Sequence, residues 1–364
     1  MSSPACDECV ATAAIDRRAA SAGDEHDCRL HERVSSELET VSCPLCDGGR
    51  WEPLVETPDF ATGLGGIFRV VRCVACGLAF TNPRPSPSSI GHFYPLDYPP
   101  HEGHRQDNSL RGRVRRKLER CVLRHDYNYP PQPAGVACTL LASLGRLLIR
   151  GRRRRAAWIS FRGDGRLLDF GCGAAAFARQ AKEYGWSVEG LDASHAVAER
   201  VEREAGFRVH VGTLPHADVV PRSFDAITMW ASLEHVHDPH GVVRAARDAL
   251  RPGGTLLVSV PNIASWPART FRHAWWGLEL PRHLIHFTPA TLTRLLESEG
   301  LHIRRLEHVG RDGWLRRSAE RARELDLEPS WLRACRWKPP ALAISRWTER
   351  SQQAENIVAV AERL

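Results

Sequence analysis

The stretch LLDFGCGAAAF, residues 167–177, decides how this chain of 364 residues is expected to fold. An apolar strand-like run ends at two glycines, Gly171 and Gly173, and an alanine-rich helical run follows at once. Glycine lacks a Cβ, so a glycine turn lets the backbone bend tightly and approach a ligand closely. A strand, a glycine turn and a helix in this order are typical of the ligand loop of a parallel sheet. Glycines alone are weak evidence, so the surrounding sequence has to support this prediction.

Strand-like and helical runs alternate from this loop to the end of the chain. The strand-like runs are RLLDF, WSVEGLD, FRVHVG, FDAITMW and GTLLVSV, and the helical runs include AFARQAKEYG and AVAERVEREAG. Alternation of this kind predicts an α/β fold in which helices cover both faces of a doubly wound parallel sheet. In such a sheet the ligand lies beyond the carboxyl ends of the strands.

An acidic residue ends the strand that follows the glycine loop. Asp192, in VEGLDAS, comes about 20 residues after the glycines, where a carboxylate can accept hydrogen bonds from both ribose hydroxyls of an adenosine. The alternative is an aspartate that only caps the next helix. Ala176 stands at the third glycine position of a dinucleotide-binding fingerprint, where alanine sometimes occurs. The spacing by itself therefore does not exclude NAD.

Four cysteines upstream have the spacing of a metal site. Cys43 and Cys46 form CPLC, and Cys73 and Cys76 form CVAC, with room for a hairpin of WEPLVE and GIFRVVR between the pairs. Two such pairs can complete a tetrahedral shell of thiolates, which Zn²⁺ favours and which leaves no open position for catalysis. We therefore predict a small zinc-ribbon-like module held together by structural Zn²⁺. The alternative is free or redox-active cysteines.

Composition and charge limit the class of protein. Hydrophobic residues make up 43% of the chain, and no apolar run approaches the roughly 20 residues that span a bilayer. The N-terminus carries no apolar signal-peptide core, so we expect a cytoplasmic enzyme. The formal net charge of +7 is concentrated in residues 111–120 and 150–155, which are either solvated helical surface or a contact for nucleic acid or anionic lipid.

Six blocks of sequence carry a resemblance to a known family. They are LLDFGCG, VEGLDAS, VGTL, SFDAITMWASLEHVHDP, LRPGGTLLVSVPN and LPRHLIHFTPATLTRLLESEG, in that order. Together they resemble the class I S-adenosylmethionine-dependent methyltransferases, in the branch with an LEHV.DP segment after the fourth strand. Upstream, CPLC, CVACG, FTNPRP and FYP resemble the zinc-binding leader of some of these enzymes. The resemblance implies a Rossmann-like, doubly wound sheet of seven strands, in which HIRRLEHVG and ENIVAVAERL form a final antiparallel hairpin.

The resemblance also implies a site for S-adenosyl-L-methionine. By this resemblance the methionine end would be lined by Asp169, Gly171 and Gly173, the ribose held by Asp192, the adenine flanked by Thr213 and Leu214, and the cofactor and substrate faced by Trp230, Ala231 and Glu234. The chain departs from the family at Ala175, where a third glycine is common.

Methyl transfer is an in-line displacement, and it needs a base only where the acceptor is poorly ionised. His235, directly after the fourth strand, and His283, in PRHLIHF, are the preferred candidates for that base, since a near-neutral imidazole suits the task. His237 and His286 are their rivals, and each histidine has a purely structural alternative. The run SWPARTFRHAWWGLELPRH is either an aromatic lid over the substrate or an extra piece of core.

We therefore predict four regions: a disordered leader (1–40), a zinc-binding module (41–100), a basic helical linker or lid (101–160) and an S-adenosylmethionine-binding domain (161–364). The predicted function is methyl transfer to a small-molecule, glycan or lipid-linked acceptor. Two alternatives stay open. One is an RNA methyltransferase that binds nucleic acid through the zinc module and the basic runs. The other is a non-catalytic homologue that binds the cofactor. Peripheral membrane contact and the oligomeric state are left open by the sequence.

Overall fold

The computed structural model describes residues 38–60, 63, 66–94, 109–130, 135–148, 158–327 and 330–364. Within them the strands are β1 (Leu38–Glu39), β2 (Trp51–Pro58), β3 (Ile67–Cys73), β4 (Ala79–Thr81), β5 (Arg84–Pro85), β6 (Arg166–Phe170), β7 (Ser187–Asp192), β8 (Val209–Val211), β9 (Phe224–Trp230), β10 (Leu250–Pro261), β11 (Ile285–His286), β12 (Leu301–Val309) and β13 (Asn356–Arg363). The α-helices are α1 (Leu110–Asp126), α2 (Val136–Leu148), α3 (Ala176–Glu183), α4 (His195–Ala205), α5 (Pro239–Ala249), α6 (Trp266–Phe271), α7 (Pro289–Ser298), α8 (Asp312–Glu324) and α9 (Lys338–Arg350). The predicted leader up to residue 37 and the basic run 150–155 lie outside the described residues.

A sheet of seven strands occupies the centre of the fold, in the order β12-β13-β10-β9-β6-β7-β8. From β10 to β8 neighbouring strands are parallel, and β13 runs antiparallel between β10 and β12. β9 and β10 are buried along most of their length, as expected for parallel strands covered on both faces. The strand order reverses at β6, which opens a crevice at the carboxyl ends of β6 and β9. The predicted Rossmann-like, doubly wound sheet is confirmed.

The connection between the last two strands differs from the prediction. β12 and β13 are antiparallel neighbours, as expected, but residues 310–355 lie between them and contain α8 and α9. They are therefore not joined by a tight turn. Buried residues of α8 share a hydrophobic cluster with β3 and with the segment around Trp275, so this insertion packs over the upstream module.

Local sequence explains where the helices around this sheet begin and end. α4 begins after Ser194, whose hydroxyl accepts a hydrogen bond from the Val197 amide, and ends at Gly206, where φ is +63°. α7 begins with a capping box in which Thr288 and Thr291 bond to each other's backbone amides. These stops and starts fix the loops at the carboxyl edge of the sheet.

The cysteine-containing segment is joined to the large domain by a shared sheet. β2 and β3 form the predicted hairpin, and β4 and β11 extend it into a four-stranded sheet in the order β11-β4-β3-β2. β11 comes from much later in the chain than β4 and begins two residues after His283. Leu38 and Glu39, which the sequence analysis assigned to the leader, form β1 and pair with β5. The module and the central sheet also share one buried core.

Helices α1 and α2, from the predicted linker, pack onto the outside of the large domain. Leu118 and Val122 of α1 share a buried cluster with α3 and β6, and the Tyr129 ring lies 6.0 Å from that of Trp186. The basic run 111–120 lies along α1 and is largely exposed, while Glu119 within it is buried. None of the helices in the described ranges is long and apolar enough to cross a bilayer.

Candidate active site

The glycine loop at the end of β6 has the left-handed backbone that its sequence predicts. φ is +65° at Gly171 and +50° at Gly173, and the amides of Gly171 and Cys172 both donate to the Leu191 carbonyl, at 2.7 and 3.2 Å. A Cβ at Gly171 would lie 2.5 Å from the Cβ of Ser232, so no larger residue fits there. Ser232 in turn donates to the Phe170 carbonyl at 3.0 Å. The loop is thereby packed against the segment that follows β9.

Ala175 adopts the conformation for which glycine is normally required. Its φ is +55° and its ψ +32°, and it forms the N-cap of α3 with its side chain fully buried. The left-handed conformation costs a residue with a Cβ roughly 1–2 kcal/mol. Ala175 therefore adds backbone strain to the loop. The loop nevertheless keeps the left-handed conformation that a glycine would adopt there.

Asp192, at the end of β7, is positioned by two backbone amides. Its carboxylate accepts hydrogen bonds from the amides of Gly173, at 2.8 Å, and Ser194, at 2.9 Å. The N-cap of α4 is Ser194, so Asp192 is not the capping residue. An ionised carboxylate offers about four acceptor sites, which leaves capacity for ribose hydroxyls.

Other predicted cofactor residues follow the neighbouring strands. Thr213 and Leu214 come after β8, where the Gly212 amide donates to the Asp192 carbonyl at 2.8 Å. Trp230 ends β9; its ring lies 5.1 Å from that of Phe177, and its buried Nε1 has no hydrogen-bond partner among the described residues. The ends of β6, β7, β8 and β9 thus bring these residues to one edge of the sheet.

Asp169 is less open than the sequence analysis expected. It is buried in β6 and accepts a hydrogen bond from the Thr228 hydroxyl at 2.6 Å. Burial, more than any other influence, raises its pKa to about 7. Asp169 therefore ties β6 to β9 beneath the loop.

These residues fit S-adenosylmethionine. The Asp192 carboxylate has spare acceptor sites and lies against the left-handed glycine loop. The indole Nε1 of Trp230 is buried without a hydrogen-bond partner among the described residues. Asp192, Gly171, Gly173 and Trp230 are the residues that would hold the cofactor.

A cluster of buried polar residues begins just after β9. Glu234 and His235 lie in the short 3₁₀ turn Leu233–His235, and the Leu284 amide donates to the Glu234 carbonyl at 2.8 Å. Glu234 is 0% exposed, and neither of its carboxylate oxygens accepts a hydrogen bond from another described residue. Burial raises the pKa of Glu234 to about 8, so its carboxyl group is protonated near neutral pH.

His283 faces this carboxyl group with a defined tautomer. Its Nδ1 lies 2.9 Å from the Gly277 carbonyl, which can only accept, so Nδ1 carries the proton. Nε2 then presents a lone pair, 3.9 Å from Glu234 Oε1 and 3.5 Å from Glu279 Oε2. Burial lowers the pKa of His283, which keeps the ring neutral.

His235 is the more accessible of the two predicted histidines. It is half-buried, and its ring centroid lies 4.6 Å from that of His283. Its Nδ1 lies 2.9 Å from the Tyr94 hydroxyl and 3.1 Å from the Arg282 carbonyl. Sequence reasoning missed Tyr94, although the FYP block that contains it was part of the resemblance.

The two rival histidines serve the upstream module. His237 Nε2 donates to the Pro85 carbonyl at 3.0 Å, and His286 Nε2 lies 3.2 Å from the Thr81 hydroxyl. Burial lowers the pKa of His286 to about 3, so this ring stays neutral. Both residues have structural contacts that account for them.

Comparison with known proteins finds methyltransferases. A family model described as "Methyltransferase domain" matches residues 141–306. A protein of Xanthomonas euvesicatoria pv. vesicatoria named ubiquinone biosynthesis O-methyltransferase is 31% identical over 168 residues, which are 42% of this chain and 69% of that protein. The protein of the same name from Aeromonas salmonicida is 29% identical over 171 residues, or 43% of this chain and 72% of that protein. The chain belongs to the class I S-adenosylmethionine-dependent methyltransferases.

Solved structures of methyltransferases are similar to this one at lower sequence identity. The crystal structure of an S-adenosylmethionine-dependent methyltransferase from Mesorhizobium loti has 23% sequence identity and a TM-score of 0.40, covering 57% of this chain and 95% of that one.

The Trp-rich run of this methyltransferase forms core for most of its length. Phe271 and Trp275 are each 1% exposed, and Trp266 packs edge-on against Trp347 at 5.6 Å. Trp276 is half-buried and lies against α8. Of the two readings that the sequence left open, core therefore applies to Phe271 and Trp275.

The four cysteines of the methyltransferase converge in two matching turns. In each turn the first cysteine's amide donates to the carbonyl five residues on, and the residue after the second cysteine, Asp47 or Gly77, has positive φ. Sγ–Sγ distances are 3.4 Å for Cys43 and Cys76 and 3.6 Å for Cys46 and Cys73, and all four sulfurs lie within 4.8 Å of one another. Tetrahedral Zn²⁺ at about 2.3 Å from each sulfur needs sulfurs about 3.8 Å apart, so this arrangement fits the ion.

Proposed function

We propose that this methyltransferase transfers a methyl group to a small-molecule acceptor whose reacting atom lies between Trp230 and His235. The observation that carries this proposal is the position of the polar cluster. Glu234, His235 and His283 follow directly from the end of β9, and Ser232 of the same segment contacts the glycine loop. A cluster of titratable groups with perturbed pKa values is an expected setting for proton transfer.

Within this site one residue contacts the acceptor, and two others position that residue. When bound, S-adenosylmethionine supplies a methyl group on a sulfonium. His235, which is partly exposed, accepts the proton that the acceptor loses. His283 and the protonated Glu234, both enclosed behind it, hold the His235 ring in place. Tyr94 and the Arg282 carbonyl restrict the same ring from the Nδ1 side.

The names of the relatives support a small acceptor. Both sequence relatives described above are named ubiquinone biosynthesis O-methyltransferase, so oxygen of a small molecule is the acceptor that we propose first. The RNA alternative is supported only by the exposed basic residues of α1. The run 111–120 contains no aromatic residue on which bases could stack.

We also propose that Cys43, Cys46, Cys73 and Cys76 hold one structural Zn²⁺. Two of the sulfurs are buried and two are half-buried, and four thiolates close the coordination shell. The ion would stabilise the cysteine module and, through it, the site. β4 follows the second cysteine pair and pairs with β11, close to His283.

The test is methyl transfer from labelled S-adenosylmethionine in an extract of the source cells, followed by fractionation. We expect label in the small-molecule fraction with the purified protein, and none with the Asp192→Ala variant. Label in a nuclease-sensitive fraction would instead assign a nucleic-acid acceptor. Cofactor binding by calorimetry without any label transfer would count against the proposed methyl transfer and favour the non-catalytic alternative.

A further inference from the structure

Two arginines of α8 stack on aromatic rings. The Arg321 guanidinium lies 4.2 Å from the ring centre of Phe60 and 4.8 Å from that of Trp276. Arg317, one turn earlier, lies 4.6 Å from the Trp276 ring. The Trp276 backbone amide donates to the Ser318 hydroxyl at 2.9 Å, which anchors the backbone of Trp276 against the helix. Arg321 is therefore held between two rings before any ligand arrives.

The two guanidinium groups lack the partners that arginines of folded proteins usually have. Within the described ranges neither Arg317 nor Arg321 forms an ion pair within 4.0 Å or a side-chain hydrogen bond. Neighbouring Arg282, in contrast, donates to Asp59 through both of its terminal nitrogens. Five donors in a fixed fork suit a carboxylate or a phosphate, which can accept two of them at once.

The charges around Arg321 are mixed but include no direct partner. Burial lowers its pKa to about 10, while Glu279, Glu324 and Asp59 attract the guanidinium at longer range and Arg282 repels it. The group therefore remains a cation at neutral pH although it is half-buried. A partly desolvated cation with no anion in direct contact binds an incoming oxyanion more strongly than a fully hydrated one does.

Arg321 is linked to the proposed acceptor side of the site through Glu279. Glu279, which attracts Arg321, is 3.5 Å from Nε2 of His283 and 3.5 Å from Nε of Arg282. His283 in turn contacts Glu234 and His235. The arginines are thus connected through a short series of side chains to the position proposed for the reacting atom.

We propose that Arg321, with Arg317, binds an oxyanion of the acceptor, either a phosphate or a carboxylate. This inference rests on the proposed function and narrows it to acceptors that carry such a group. Because the Phe60 and Trp276 rings already hold the Arg321 guanidinium, less conformational entropy is lost when it binds the anion. If the arginines served only to cover aromatic surface, they would give the protein no affinity for small anions.

The first test measures binding of small anions to the full-length protein loaded with S-adenosylhomocysteine. Inorganic phosphate, pyrophosphate and acetate are titrated by calorimetry into the wild type and into Arg321→Gln, Arg317→Gln and Arg323→Gln. Arg323 is an exposed arginine of the same helix and serves as the matched control. We expect Arg321→Gln to weaken binding roughly tenfold or more and Arg323→Gln to leave it within about twofold. Preference for phosphate or for acetate identifies the group.

The outcome of that titration does not depend on methyl transfer. No anion binding by the wild type, or equal binding by all three variants, would overturn the proposal whatever the enzyme methylates. Retained binding of S-adenosylhomocysteine by Arg321→Gln shows that the variant is folded.

The second test uses the methylated product itself. Labelled product from the extract experiment should be retained by an anion-exchange resin at neutral pH, and its yield should fall roughly tenfold with Arg321→Gln but not with Arg323→Gln. A product that passes through the resin would overturn the inference while leaving the proposed methyl transfer intact.

Discussion

The Arg282 guanidinium donates two hydrogen bonds to the Asp59 carboxylate, at 2.9 and 2.8 Å, and both side chains are at most 1% exposed. Asp59 directly follows β2 of the cysteine module, and Arg282 directly precedes His283. Nη1 of Arg282 also donates to the Phe93 carbonyl, at 2.8 Å. Because the Arg282 carbonyl also lies 3.1 Å from Nδ1 of His235, this ion pair positions both histidines of the site.

Asp59→Ala is expected to destabilise the fold strongly. The substitution leaves the buried Arg282 cation without its anion, which typically costs about 3–5 kcal/mol. Urea denaturation of the two proteins measures the difference in free energy of unfolding. The control is Glu56→Ala on the same part of the chain, which removes an exposed ion pair with Arg69 and should cost at most about 1 kcal/mol. Equal losses for the two variants would contradict the role given to the buried pair.

Removing the metal from the cysteine module should affect both stability and the site. Wild-type protein is expected to contain one zinc per chain by elemental analysis, and Cys76→Ser to contain less. Loss of a structural metal belongs with the large destabilisations, about 4 kcal/mol or more. The Thr81 hydroxyl of β4 donates to the His283 carbonyl at 2.7 Å, so the activity should fall as well.

Cys138→Ser is the control for the metal prediction, since Cys138 lies on α2, away from the four converging sulfurs. It should keep its zinc and its stability. Metal-free wild type that unfolds at the same urea concentration as the zinc-loaded protein would show that the metal is not structural.

The parts of the fold that the sequence predicted well are those with short-range signals. The glycine loop and the strand that ends at Asp192 each rest on residues within one supersecondary unit. Periodicity and cap residues report such units directly. The order of strands then followed from the resemblance.

Long-range pairings had no such signal. β11 joins β4 although the paired residues Ile285 and Phe80 are far apart in sequence, and Asp59 pairs with Arg282 across 223 residues. Neither β11, which has two residues, nor a single aspartate carries a pattern of its own. The proposed acceptor side of the site depends on these contacts, which is why the sequence suggested His235 and His283 as candidates but gave no indication of Tyr94, Glu279 or the arginines of α8.

Ala175→Val tests the strain in the glycine loop. Val is poorly accommodated at φ +55°, and Ala175 is fully buried, so the extra methyl groups have no space. We expect a loss of about 2 kcal/mol or more in the free energy of unfolding and weaker cofactor binding. Ala175→Gly should stay within about 1 kcal/mol of wild type, because relief of the left-handed strain offsets the added chain entropy. Similar urea midpoints for Val and Ala would argue against the left-handed conformation.

Asp192→Asn should weaken binding of S-adenosylmethionine by roughly tenfold to a hundredfold, measured by calorimetry. The amide replaces one acceptor oxygen by a donor, so the position can no longer accept from the Gly173 amide, the Ser194 amide and two ribose hydroxyls together. Hydrogen bonds to a charged group contribute about 1.5–3 kcal/mol each. The exposed Glu199→Gln substitution on α4 should leave the affinity unchanged. An unchanged affinity of Asp192→Asn would remove Asp192 from the cofactor site.

Glu234 should make the stability of the protein depend on pH in a defined direction. Its pKa is about 8 in the fold and near 4.5 in the unfolded chain, so the folded state holds a proton that the unfolded state has lost between these values. The stabilisation from Glu234 is therefore complete below about pH 4.5 and is lost as the pH rises to about 8. Asp169 and Glu355, whose pKa values burial raises to about 7, act in the same direction.

Comparison with Glu234→Gln isolates this one carboxyl group, because Asp169 and Glu355 titrate in both proteins. The neutral amide keeps the shape of the protonated acid, so the variant should gain stability relative to wild type as the pH rises from 5 to 8. The difference in free energy of unfolding should grow by up to about 1.4 kcal/mol per pH unit. Urea denaturation at four pH values measures it, and stability curves that remain parallel across this range would mean that Glu234 is not held protonated beside His283.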